Sequence, residues 1–197
     1  MSVNQSLNLF GTPVWVEHLP NHESLNERLI RDGAAYQPGK NFFDLQGDGV
    51  SELRDYVLGR FKQIQAQHQW RVTPRFLTAR QNPIFPGEQD SPHWHSNAVI
   101  VGVYYVQAGD NQGDILLHDP RGGTWWPELN AVTDKNKFTR TFHRIKPESG
   151  MLVMFPGYLI HSVEANLSDS MRLSIPIEFL VSGDDPRYLS TELQKIS

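Results

Sequence analysis

The sequence predicts a mainly β protein, a barrel or sandwich of short strands with helices packed on one side. Two observations support this fold class. Apolar residues recur at helical spacing between about residues 21 and 67. From about residue 70 to residue 181, short β-branched and aromatic runs alternate with turn residues. We therefore expect one domain over residues 1–197, with helices at about 21–67 packed on a core at about 70–181.

Composition limits the chemistry that is available to the chain. It has no cysteine, so any metal must be bound by His, Asp or Glu. The net charge of −4 gives no general reason to expect nucleic-acid binding, although Arg140, Arg144 and Lys146 lie close together. No apolar run approaches the roughly 20 residues of a membrane span, and no secretory signal is apparent. We expect a cytoplasmic protein without a membrane partner.

The N-terminal third is predicted to hold one edge strand and two helices. Residues 9–16 form a short apolar run broken by Gly and Pro, which is typical of an edge strand. Asn21 is a candidate N-cap for a helix over Glu23–Arg31. A longer amphipathic helix is predicted from Ser51 to Gln67, with its apolar face formed by Leu53, Val57, Leu58, Phe61 and Ile64.

The remaining chain is predicted to be strands separated by turns. Residues 83–87 should end the first strand, and residues 120–144 form a long segment with little periodicity. A segment of that length is often a lid or a binding loop, and here it contains Trp125 and Trp126. The predicted strands are residues 71–82, the segment within 92–106, and residues 114–119, 150–156, 158–166 and 171–181.

Histidines at positions 93 and 95 open the central apolar strand. If the extended conformation already holds at His93, then His93 and His95 project to one side, with Tyr105 further along that face. Two adjacent imidazoles form half of a metal site. His161 lies between the apolar residues Leu159 and Val163, and a buried imidazole there needs a partner such as a metal.

Side chains alternate between the two faces of a strand, so odd-numbered and even-numbered residues of the last strand lie on opposite faces; we call this strand parity. One face is wholly apolar and should pack against the helices; its members are Met171, Leu173, Ile175, Ile177 and Phe179. Arg172 and Ser174 share the opposite face, which is the interior of a barrel. A buried guanidinium is costly unless it meets an anion, and its fork matches a carboxylate.

These motifs resemble the iron(II)- and 2-oxoglutarate-dependent dioxygenases, and among them the prolyl-hydroxylase-like group. The resemblance covers about residues 79–179 and rests on the order and spacing of five pieces, namely His93-Trp94-His95, Tyr104-Tyr105-Val106, Gly113–Leu117, His161 and Arg172. The segments Leu9–Trp15 and Gly102–Tyr105 are also similar to an uncharacterised phage and bacterial branch of that superfamily.

The resemblance implies a double-stranded β-helix, a jelly-roll or cupin-like barrel, and it implies a set of site residues. Iron(II) would be held by His93, His95 and His161, and 2-oxoglutarate would be bound by Arg172, Tyr105 and Ser174. The reaction would be hydroxylation of a peptidyl side chain or a small metabolite by O2, with release of succinate and CO2. Trp125 and Trp126 would lie on a substrate loop.

The chain departs from the family pattern at one ligand. The family's carboxylate ligand stands where this chain has His95. Three alternatives follow: His95 replaces the carboxylate in a three-histidine site, Asp119 reaches in from the next strand, or only two histidines bind and water takes the third position.

Two other functions remain open from the residues alone. Three imidazoles on β-strands can also hold the zinc of a hydrolase or hydratase, although zinc–water chemistry does not require Arg172. A non-catalytic metal-binding barrel is the other alternative. The sequence leaves the substrate and the oligomeric state open, including a homodimer.

Overall fold

The computed structural model describes residues 11–70, 74–121, 140–180 and 194–195. Helix α1 spans His22–Gly33 and helix α2 spans Asp48–Gln67, with a short 3-10 helix at Phe42–Asp44 between them. The strands are β1 Trp15–His18, β2 Phe76–Ala79, β3 Asn82–Ile84, β4 Asp90–His93, β5 Ala98–Gln107, β6 Ile115–His118, β7 Phe142–Ile145, β8 Met151–Pro156, β9 His161–Val163, β10 Arg172–Leu180 and β11 Gln194–Lys195.

The strands form two antiparallel sheets. The larger sheet has the order β1-β8-β5-β10-β2-β11, and β3 also pairs with β10. The smaller sheet has the order β4-β9-β6-β7. Within the described ranges the two sheets are separate, with no backbone ladder joining them. β1 lies at the edge of the larger sheet, as predicted for the N-terminal strand, but it spans Trp15–His18, and residues 11–14 of the predicted run are not in a strand.

Both predicted helices are present and longer than expected. Helix α2 begins at Asp48, three residues before the predicted start, and its apolar face buries Leu53, Val57, Phe61 and Ile64. Asn21 is the N-cap of α1, but it adopts a left-handed conformation and its side chain makes no capping hydrogen bond. A side chain of α1 contacts the start of α2: the carboxylate of Asp32 accepts a hydrogen bond of 2.9 Å from the backbone N–H of Gly49.

The helices cover one face of the larger sheet, as the parity of β10 predicts. Leu173, Ile175, Ile177 and Phe179 lie in the core shared with the helices, where Phe61 stacks on Phe179 at 4.5 Å between ring centroids. A second apolar cluster lies between the two sheets and includes Val101, Val103, Tyr105, Leu117, Val153 and Phe155. Arg172 and Ser174 point into a pocket on this second side.

One predicted strand is interrupted, and one strand forms where a loop was predicted. The first ends at Ala79, and Asn82-Pro83-Ile84 forms a separate strand against β10, where the prediction expected a break. The proline is accommodated there because this strand pairs on one side only, so its missing N–H removes no ladder bond. Residues 142–144, predicted to be part of the long loop, form β7 together with Ile145 at the edge of the smaller sheet.

The interpretation of His93 and His95 as neighbours on one continuous strand is wrong. Strand β4 ends at His93 in the smaller sheet, and β5 begins at Ala98 in the larger sheet. His95 therefore lies in the turn that crosses from one sheet to the other, and strand parity does not determine where its side chain points. No helix in the described part of the chain has both the length and the apolar character needed to cross a bilayer.

Candidate metal centre

Three histidines converge on one pocket. His93 and His161 are directly paired residues of β4 and β9, and their ring centroids lie 4.3 Å apart. The ring of His95 stacks on that of His161 at 5.2 Å and lies 5.3 Å from that of His93. One ligand nitrogen from each residue lies within 4.8 Å of the other two. This arrangement presents three imidazole nitrogens to a single small volume.

Backbone carbonyls fix the orientation of two of these rings. The Nδ1 of His93 lies 2.8 Å from the carbonyl oxygen of Ser91, and the Nδ1 of His161 lies 2.9 Å from that of Leu159. With Nδ1–H donating to a carbonyl, each ring keeps an unprotonated Nε2, which is the form that binds a metal. Both contacts span two residues, so local chain geometry sets the ring orientation.

His161 is held in the neutral form. Burial, the largest cause, acts together with the neighbouring His93, His95 and Arg80 to lower its pKa from 6.5 to about 3, against the opposing effect of the hydrogen bond to the Leu159 carbonyl. An imidazole with this pKa carries no proton on its second nitrogen at neutral pH. It can therefore act as a ligand without first losing a proton.

The backbone around His95 is tied to the end of β8. The N–H of His95 donates to the carbonyl of Gly157 at 2.9 Å, and the N–H of Ala98 donates to the carbonyl of His95 at 3.1 Å. Gly157 permits this close approach, because a Cβ on it would lie 2.1 Å from the Ala98 oxygen and 2.9 Å from the His95 oxygen. The turn that carries His95 thus depends on the absence of a side chain at position 157.

Replacing Gly157 with alanine is expected to displace this turn. The added methyl meets backbone oxygen, which cannot rotate away, so we expect a loss of about 1–3 kcal/mol in the free energy of unfolding, together with weaker binding of cobalt(II). Urea unfolding of the metal-free protein and cobalt titration measure both effects. Gly59→Ala is the matched control: this position in α2 has no atom within 4 Å of the new Cβ, so neither quantity should fall. Wild-type behaviour of Gly157→Ala would contradict this account of the turn.

Arg172 and Tyr105 line the same pocket and carry unsatisfied polar atoms. Each is only 1% exposed. The guanidinium donates from Nη1 to the carbonyl of Gly113 at 3.0 Å, while Arg172 Nε and the Tyr105 hydroxyl have no hydrogen-bond partner among the described residues. Burial lowers the pKa of Arg172 and raises that of Tyr105 to about 12, so the phenol remains a proton donor at neutral pH.

The donor groups of this pocket fit an anion beside a metal ion. A buried cation that leaves its Nε–H without a partner and a buried hydroxyl without a partner are both expensive unless a ligand meets them. A carboxylate satisfies both, because it accepts from a guanidinium fork and from a phenol at the same time. Ser174 also faces this pocket, with its hydroxyl 3.4 Å from the carbonyl of Asn82. The three imidazoles that line the same pocket are candidate ligands for a metal ion.

The remaining predicted site residues lie elsewhere. Asp119 follows β6 directly, and its carboxylate pairs with Arg121 at 2.8 Å, which lowers the pKa of Asp119. It is not part of the histidine cluster found within the described residues. Trp125 and Trp126 lie outside the described residues, so their place on a substrate loop stays a prediction.

Sequence reasoning missed two charged residues next to the histidines. Glu178 is 1% exposed, and its Oε1 lies 3.1 Å from Nδ1 of His95 and 3.4 Å from Nη1 of Arg80. The signal for Glu178 was present in the parity of β10, because residues 172, 174, 176 and 178 share the face opposite the helices. Arg80 follows the end of β2 and gave no comparable signal.

Comparison of sequences identifies the family. Residues 81–178, about half of the chain, match the sequence profile of a family described as "Putative 2OG-Fe(II) oxygenase". This range includes all three histidines, Tyr105 and Arg172. The chain belongs to the 2OG-Fe(II) oxygenases. No match was found among curated protein sequences.

Solved structures of similar shape confirm the double-stranded β-helix. A Pseudomonas putida prolyl-4-hydroxylase superposes with a TM-score of 0.61 at 16% identity, covering 87% of this chain and 89% of the other. AviO1 from Streptomyces viridochromogenes Tue57 gives 0.53 at 12% identity, covering 89% and 92%. A 2OG-Fe(II) oxygenase family oxidoreductase from Burkholderia pseudomallei gives 0.50 at 14%, covering 77% and 67%. Because the sequence identities are this low, the structural similarity establishes the fold and not the substrate.

The family membership also gives the cofactors and the class of enzyme. This 2OG-Fe(II) oxygenase uses iron(II), 2-oxoglutarate and O2 to act on a substrate. The predicted resemblance to this family is confirmed. The predicted enzyme class, an oxygenase that depends on iron(II) and 2-oxoglutarate, is confirmed with it. The zinc hydrolase and the non-catalytic barrel are correspondingly disfavoured.

Proposed function

We propose that this oxygenase hydroxylates a peptidyl side chain or a small metabolite, with iron(II) held by His93, His95 and His161 and 2-oxoglutarate bound by Arg172, Tyr105 and Ser174. The observation that supports this assignment most strongly is the buried guanidinium of Arg172, whose Nε has no hydrogen-bond partner within the described residues. It is buried in the same pocket as the three imidazoles, where a ligand with a carboxylate at one end and metal-binding oxygens at the other spans both groups.

Each residue has a distinct role in this proposal. Arg172 pairs with the distal carboxylate of 2-oxoglutarate, and the high pKa of Tyr105 keeps its hydroxyl protonated as a second donor to that group. The imidazoles hold the metal through neutral nitrogens. When bound, iron(II) and 2-oxoglutarate supply the chemistry that inserts one oxygen atom of O2 into a substrate C–H bond and leaves succinate and CO2.

Apolar walls complete the site. Val101, Val103, Ile115 and Val163 line the same pocket as the histidines and Arg172. These side chains exclude water from around the co-substrate, which strengthens the pairing of its carboxylate with the guanidinium and limits side reactions. The chain thus contributes binding, orientation and a dry environment.

An anaerobic optical titration tests the proposal. Protein loaded with one equivalent of iron(II) should develop a visible charge-transfer band when 2-oxoglutarate is added, because the keto acid chelates the metal. Admission of O2 should then convert 2-oxoglutarate to succinate. Succinate added in place of 2-oxoglutarate is the control, since it has the distal carboxylate but no keto acid. Tight zinc binding with no band for iron(II) and 2-oxoglutarate would overturn the proposal.

A further inference from the structure

A buried carboxylate stands directly behind one of the three histidines. Glu178 lies on β10, two positions beyond Pro176, on the face of the strand that carries Arg172 and Ser174. Its Oε1 is 3.1 Å from Nδ1 of His95, and the two side chains are 1% and 2% exposed. Nδ1 of His95 makes no hydrogen bond within the described residues, and the Glu178 carboxylate lies at ion-pair distance from it.

The contact has an electrostatic consequence for a metal ion. Three imidazoles are neutral ligands, so a divalent cation bound by them keeps its full charge in a buried site. Glu178 places a negative charge on the far side of the His95 ring. A carboxylate that accepts a hydrogen bond from Nδ1–H fixes the tautomer with Nε2 free, and it makes that nitrogen a stronger donor to the metal.

Arg80 offers a competing explanation for Glu178. Its Nη1 lies 3.4 Å from the same carboxylate oxygen, so the pair is also an ordinary ion pair between β10 and the end of β2. Arg80 is one-third exposed and the distance is longer than that to His95, which favours the histidine as the closer electrostatic partner. The two explanations predict different effects when Arg80 itself is replaced.

We propose that Glu178 is a positioning residue of the metal centre. It acts through His95, holding that ring with Nε2 toward the metal and supplying from behind the ring the negative charge that three imidazoles lack. This inference rests on the proposed function, because it requires His95 to be a metal ligand. In this arrangement His95 and Glu178 together replace a carboxylate ligand. The imidazole binds the ion, and the negative charge lies behind the imidazole.

Cobalt(II) binding tests the inference without reference to turnover. Dissociation constants are measured by anaerobic titration of the whole chain, with the visible cobalt spectrum as a second readout. Glu178→Gln keeps the size of the side chain and removes its charge, so we expect affinity to fall about 10–100-fold, as for outer partners of other metal-binding histidines. Arg80→Gln breaks the ion pair but leaves the carboxylate, and removes a nearby positive charge, so affinity should be unchanged or higher.

A double variant shows whether Glu178 acts through the histidine. In the background of His95→Gln, the change Glu178→Gln should have no further effect on cobalt affinity; an additive loss would indicate a structural role and overturn the inference. A dissociation constant for Glu178→Gln within twofold of wild type, or an equal loss in Arg80→Gln, would also overturn it. If His95→Gln itself binds cobalt as tightly as wild type, the ligand set of the proposed function fails instead.

Discussion

Replacing His161 with alanine is expected to eliminate stable metal binding. The residue is 4% exposed, pairs directly with His93 across β4 and β9, and presents a neutral nitrogen because burial lowers its pKa to about 3. Partners behind a ligand typically change metal affinity 10–100-fold, so loss of a ligand should exceed about 100-fold. Iron content after anaerobic loading and dialysis measures the effect.

A histidine outside the cluster provides the control for that experiment. His143 is exposed on β7, where it faces Leu117 in the register of the smaller sheet. His143→Ala should retain full iron content. Because His161→Ala also removes a buried ring, circular dichroism should show that the variant is folded. Stoichiometric iron in folded His161→Ala would contradict its assignment as a ligand.

Replacing Arg172 with alanine is expected to abolish 2-oxoglutarate binding while leaving metal content unchanged. Removing one member of a buried, hydrogen-bonded charge pair typically costs 2–5 kcal/mol, which corresponds to roughly a hundredfold loss of affinity or more. The guanidinium lies in the pocket but is not a metal ligand, so iron binding should be spared. The anaerobic charge-transfer titration measures co-substrate binding, and metal analysis measures iron.

Stability adds a second readout for Arg172. Arg172 is fully buried and donates to the Gly113 carbonyl, so the informative quantity is how much 2-oxoglutarate stabilises each protein and not the stability without it. Addition of 2-oxoglutarate with manganese(II) should raise the melting temperature of wild type much more than that of the variant. Arg144→Ala is the control, since Arg144 is half-exposed and pairs with Glu164. Equal loss of metal and co-substrate would count against the assigned role.

Local patterns in the sequence predicted the residues of the site better than its geometry. The parity of β10 correctly separated an apolar face toward the helices from a polar face toward the pocket, because one strand of nine residues keeps its alternation throughout. The same reasoning failed for His95, which lies in a turn between strands of different sheets. The pairing of His93 with His161 joins strands almost 70 positions apart, and such pairing cannot be read from local spacing.

Glu178 shows a different limit. Its parity with Arg172 and Ser174 placed it toward the pocket, but its proximity to His95 depends on how the turn after β4 crosses between the sheets. The importance of Gly157 likewise depends on the carbonyls of Ala98 and His95, which belong to the segment from the end of β4 to the start of β5. Contacts of this kind arise from the packing of segments that are distant in sequence, so local sequence patterns do not predict them.

A crystal structure of the protein with manganese(II) and 2-oxoglutarate tests the central claim most directly. Manganese is a suitable substitute for iron(II) because it binds similar ligands and resists oxidation during crystallisation. We expect one ion bound by the imidazoles of His93, His95 and His161, chelated by the keto acid, with the distal carboxylate paired to Arg172. An ion bound by Asp119 in place of His95, or a 2-oxoglutarate carboxylate directed away from Arg172, would contradict the account.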